Sequence, residues 1–160
     1  MATNKLSTQM ATNCKNTNDN KLNTEMATNK KVNMKNILYK DLSYKLQGIF
    51  FKIKNELGGG YKEPIYRKAL EKELEKNKIM FQKEYPIKVF SKDGEFLGLY
   101  RPDFVVEDKI IVEIKTKNFL SRQERIVIYD YLKNSKYQVG YLVNFGSKKF
   151  YVRRYIYTND

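Results

Sequence analysis

Three side chains able to do acid or metal chemistry fall within a short stretch of the sequence, "RPDFVVEDKIIVEIKTK", residues 101–117: Asp103, Glu113 and Lys115. Glu113 and Lys115 stand two apart in a run of isoleucine and valine, and side chains two apart on a strand share a face. Ile110, Val112 and Ile114 then face one way, and Ile111, Glu113, Lys115 and Lys117 the other. The preceding "DFVVED" reads as a second strand, and a turn over residues 107–109 brings Asp103 back beside Glu113 or Lys115. Two carboxylates with an ammonium at a sheet edge suit hard divalent cations such as Mg²⁺ or Mn²⁺, which prefer oxygen ligands and keep waters. Such an ion stabilises charge on a phosphate oxygen and acidifies a bound water, and the ammonium orients the nucleophile or offsets charge in the transition state. Phosphodiester hydrolysis is the expected chemistry.

Composition points the same way by exclusion. The 160 residues contain no histidine, which removes His-based triads and His-ligated metals. The single cysteine, Cys14, leaves no internal disulfide and no thiolate cluster for zinc. The formal charge is +13, compatible with a polyanionic partner. Only six of the 31 basic residues are arginine, and a lysine-rich coding composition would give the same charge without a selected binding surface. No apolar run reaches the roughly 18 residues needed to span a bilayer, and the amino terminus carries no signal-type hydrophobic segment. The expected setting is cytoplasmic, nuclear or nucleoid, neither secreted nor membrane-spanning.

The elements that must hold these side chains are legible in periodicity. Residues 1–36 contain a 16-residue duplication, "KLSTQMATNCKNTNDN" followed by "KLNTEMATNKKVNMKN". Its Asn, Thr and Lys composition has too little apolar surface to offset folding entropy, so a disordered tail is expected there and one folded domain over residues 37–160. Leu42, Leu46, Ile49, Phe50 and Ile53 have helical spacing, and Gly58, Gly59 and Gly60 end that helix. A second helix starts near Glu63 or Pro64. The pattern then becomes strand-like for three or four segments, with Asp93-Gly94 as a two-residue hairpin signal. Ser121 with Glu124 makes a capping-box start for a helix to about Asn134, and two strands follow. This order predicts an α/β or mixed α+β fold with a mixed central sheet flanked by helices.

"RPD", nine residues, then "EIK" resembles the active-site signature of the PD-(D/E)XK nuclease superfamily, whose core has an αβββαβ order. "LGGGYKEPIYRKAL" further resembles the GxxExxY proteins of that superfamily, with Gly60, Glu63 and Tyr66 at the signature positions, and "YLVNFG" is similar to a late strand of the same family. The resemblance implies a metal-dependent endo- or exonuclease acting on DNA or RNA. It implies that Asp103 and Glu113 bind Mg²⁺ or Mn²⁺ with the Ile114 carbonyl as a further ligand, that Lys115 positions the nucleophile, and that Glu63 adds an acidic group. Tyr66 is expected to pack in the core. Relatives commonly carry a glutamine where Val127 stands, four residues before Tyr131-Leu132, and Gln123 lies one turn earlier on the same face. The rival expectation is a nucleic-acid-binding module of the same fold with weak or no turnover.

Overall fold

The computed structural model describes residues 37–158; the duplicated segment lies outside the described residues. The elements run α1 (Lys40–Leu57), α2 (Glu63–Lys76), β1 (Phe81–Lys83), β2 (Ile87–Phe90), β3 (Phe96–Tyr100), β4 (Phe104–Val106), β5 (Ile110–Lys115), α3 (Arg122–Lys133), β6 (Val139–Asn144) and β7 (Tyr151–Ile156). A five-stranded sheet has the order β1-β4-β5-β6-β7, with β5 and β6 parallel and the other pairs antiparallel. This is the expected mixed sheet flanked by helices.

Alternation along β5 divides the core as the sequence predicts. Ile110, Val112 and Ile114 join Leu46, Phe50, Tyr66 and Leu70 from α1 and α2 on one face. Ile111 joins Ile128, Tyr131 and Leu132 from α3 on the other. Burial of both faces explains why β5 and β6 are apolar nearly throughout. Ser121 accepts from the Glu124 N–H and Glu124 accepts from the Ser121 N–H, the reciprocal capping box that starts α3. Pro64 occupies the first turn of α2, where a missing N–H costs nothing.

Two details differ from expectation. Five strands, rather than three or four, separate α2 from α3, because Glu84 at φ 50° and Pro86 split one strand-like stretch into β1 and β2. The β2–β3 hairpin forms its own two-stranded sheet. Its turn is longer than two residues: Gly94 N–H donates to Ser91 O and Ser91 N–H to Glu95 O. A two-residue type I′ turn needs positive φ at both central positions, and here only Gly94, at 83°, has it.

Candidate active site

The β4–β5 hairpin builds the site. Glu107 and Asp108 both adopt positive φ, and Lys109 N–H donates to Val106 O, closing the turn. The register pairs Phe104 with Val112, so Asp103 stands opposite Glu113 one step further on. Asp103 N–H donates to Glu113 Oε2 at 3.3 Å, and Ile114 N–H donates to Asp103 Oδ2 at 2.7 Å. The next step places Pro102 opposite Ile114. In this ladder the even-numbered residues of β5 turn their backbone groups toward β4, and Pro102 has no N–H to offer. The Ile114 carbonyl therefore has no backbone donor opposite it, and its N–H is taken by the Asp103 side chain instead.

Both carboxylates are buried, Asp103 to 6% and Glu113 to 5% residual exposure. Burial and then the Glu113 charge push Asp103 up to about 7, against the Ile114 N–H and the nearby cations. Glu113 is raised first by burial, which the Lys115 ammonium opposes. Lys115 Nζ donates to Glu113 Oε1 at 2.7 Å. Burial works to discharge Lys115, but the Glu113 carboxylate outweighs it and holds the lysine above its ordinary value.

Asp103, Glu113 and Lys115 thus come together as their spacing predicts. Glu63, in the first turn of α2, sits close enough for its charge to raise Glu113, but its carboxylate is paired with Arg67. Tyr66 packs fully buried, stacked on Phe145 with ring centroids 4.5 Å apart, and donates to Gly58 O at 3.0 Å. Gln123 is exposed and its side chain makes no hydrogen bond among the described residues, whereas Val127 packs with the α3 core cluster.

Two residues at the site were not anticipated. Arg67 Nε lies 2.9 Å from Asp103 Oδ1 but out of hydrogen-bonding alignment, so this buried N–H has no hydrogen-bond partner among the described residues. Its i, i+4 spacing from Glu63 was the available signal. Tyr131 on α3 packs tilted against Tyr100, with ring centroids 5.4 Å apart, and burial, then the Glu113 and Asp103 charges, raise its hydroxyl well above the ordinary range.

The loop leaving β5 is locked from the neighbouring strand. Lys115 is in register with Asn144 on β6. Asn144 Oδ1 accepts from Lys117 N–H at 2.9 Å and Gly146 N–H at 3.1 Å, and its Nδ2 donates to Lys117 O at 2.7 Å. A Cβ on Gly146 would lie 2.3 Å from the Thr116 carbonyl carbon, so only glycine permits this approach.

A sequence profile of the PD-(D/E)XK nuclease superfamily matches residues 40–155, from the start of α1 to the last residue but one of β7. The chain belongs to the PD-(D/E)XK nuclease superfamily. Neither a curated protein nor a solved structure matches it. For a PD-(D/E)XK protein a divalent cation is implied, and the donor set fits one. Asp103 Oδ1 accepts no aligned hydrogen bond among the described residues, Glu113 Oε2 accepts only a long one, and the Ile114 carbonyl faces a proline. All are hard oxygen donors of the kind Mg²⁺ and Mn²⁺ take. Among the described residues no three acidic side chains gather into a cage. Other coordination positions would fall to solvent or substrate, the usual arrangement for Mg²⁺. No helix of the described residues is long and apolar enough to cross a membrane.

Proposed function

We propose that this domain is a nuclease of the GxxExxY type that hydrolyses phosphodiester bonds in DNA or RNA with Mg²⁺ or Mn²⁺. The observation that carries the reading is the pair of buried carboxylates, Asp103 just before β4 and Glu113 opposite it on antiparallel β5, with Lys115 beside them. Asp103, Glu113 and the Ile114 carbonyl would hold the cation, which when bound supplies Lewis-acid stabilisation of phosphate charge and acidifies water. Lys115, kept charged by Glu113, acts as a fixed cation that orients the nucleophile and offsets charge in the transition state; it is not poised as a base. Glu63 sits at the rim and sets the position of Arg67 through their ion pair.

A cleavage screen tests this with the wild-type chain and Glu113→Gln on single- and double-stranded DNA and RNA, with Mg²⁺, Mn²⁺ or chelator. Glu113→Gln is nearly isosteric and removes one negative ligand, so cleavage should disappear while binding persists. Equal cleavage by both chains would remove the chemistry from β5. Val127, standing where relatives carry glutamine and packed among apolar residues, favours a second reading as a binding module with little turnover. Steeply salt-dependent binding by both chains without cleavage of any substrate would select that reading.

A further inference from the structure

Past Lys115 the chain leaves the sheet and, with the β6–β7 connection, encloses an open cleft of about 770 Å³. One wall holds Phe119 and Leu120; the other holds Lys148, Lys149 and Phe150. The cleft adjoins the candidate active site. Asn144, which lines it, is the register neighbour of Lys115, and the side chains of both turn to the α3 face of the sheet. Two residues, Thr116 and Lys117, separate Lys115 from Asn118, so at most about 11 Å of chain lies between them, the span of about three stacked nucleotides. The walls are held in place by the Asn144 hydrogen bonds and by the close approach of Gly146 to Thr116.

Two properties of the lining identify an occupant. Phe119 is 90% exposed, so its ring contributes almost nothing to the core and stands available at the cleft wall. The charges lining the cleft are all positive: Arg125, Lys148 and Lys149, none of which forms an ion pair among the described residues. Arg125 is anchored by donating to the Ser121 and Leu120 carbonyls. An exposed aromatic face bordered by unpaired cations is complementary to a nucleobase and its flanking phosphates, the combination by which proteins grip single strands. A duplex keeps its bases stacked inside and offers Phe119 only backbone.

We propose that this cleft seats an unpaired nucleobase stacked on Phe119, with Arg125, Lys148 and Lys149 on the adjoining phosphates, so that the preferred substrate is single-stranded or locally opened nucleic acid. The inference rests on the nucleic-acid reading above and specifies the strandedness of its substrate. Fluorescence anisotropy of the full chain in chelator, where cleavage is suppressed, tests it with 15-nucleotide single strands of DNA and RNA and a 15-base-pair duplex at several salt concentrations. Phe119→Ala should weaken single-strand binding about 5- to 150-fold, the loss of one stacked base, and duplex binding less than about twofold. Phe119→Tyr should restore the single-strand affinity. Lys148→Ala with Lys149→Ala should weaken both and flatten the salt dependence. Single-strand affinity unchanged by Phe119→Ala, or an equal loss on duplex and single strand, overturns the cleft assignment. The nuclease reading fails by a different observation: Phe119-dependent single-strand binding with no cleavage under any metal keeps the cleft and removes the chemistry. The DNA and RNA arms separate the two sources of the base.

Discussion

Arg67 lies against Asp103 at ion-pair distance, 2.9 Å from Nε to Oδ1, without pointing its N–H at that oxygen. The guanidinium also holds Glu63, so a single cation from α2 links the rim carboxylate to a buried one. Asp103 Oδ1 is also one of the atoms suited to a divalent ion. A divalent ion held as proposed would therefore compete with Arg67 for Asp103.

Arg67→Met should reveal that rivalry. Without metal the variant should lose about 1–2 kcal/mol, because the buried Asp103 keeps less compensating charge while the partly exposed arginine limits the effect. Its affinity for Mn²⁺ should rise several-fold. Chemical denaturation in chelator and calorimetric titration with Mn²⁺ measure the two effects; an unchanged or weaker Mn²⁺ affinity would show that the arginine does not compete.

Metal stabilisation should depend on Asp103. A ligand that binds only the folded state stabilises it by mass action, about 2.7 kcal/mol at a hundredfold excess over Kd. Millimolar Mn²⁺ should therefore raise the wild-type melting temperature by several degrees and leave Asp103→Asn where it was. The same rise in the variant would place the ion elsewhere.

The metal-free protein should become less stable as pH rises from about 4 to 7. Asp103 has a folded pKa of about 7 against an ordinary carboxylate value near 4, so over that window the native state binds the proton and the unfolded state does not. The stability this proton brings is complete below the unfolded pKa and lost as pH passes the folded one. At lower pH the opposite sign takes over, since Glu124 is held down to about 2, chiefly by Lys117, and its contribution is lost as it protonates. Denaturation in chelator across this range should show the decline for wild type and a flatter profile for Asp103→Asn. Mn²⁺ binding below pH 7 should release protons, measurable as a buffer-dependent heat.

Gly146→Ala should cost about 1–3 kcal/mol, the usual penalty for forcing a methyl into a closed backbone contact. The obstructing atoms belong to the Thr116 and Lys117 main chain, which Asn144 already clamps and which cannot swing aside like a side chain. Urea denaturation gives the number; wild-type stability would mean that the β5 exit moves freely.

Much of the domain was legible in sequence because its signals are local. The strand alternation that sends Glu113 and Lys115 to one face, the turn that returns Asp103 to Glu113, the Ser121–Glu124 cap and Pro64 at the start of α2 each depend on residues a few positions apart. Short-range sterics and hydrogen bonding determine such features wherever the segment is placed. The Asp103–Glu113 pair belongs to this class, since both carboxylates lie on one hairpin.

The rest depended on packing between distant segments. Arg67 reaches Asp103 across 36 positions of sequence, and Tyr131 comes under the influence of Glu113 only because α3 folds onto that face of the sheet. The β2–β3 hairpin left the main sheet, which its own alternation could not announce. The +13 charge is a property of the sequence, but the convergence of Arg125, Lys148 and Lys149 on one cleft beside an exposed Phe119 arises where the first turn of α3 and two loops meet beyond β5 and β6. Periodicity constrains each element; which elements face each other is decided by burial of both sheet faces at once, and the chemistry at their junctions follows from that.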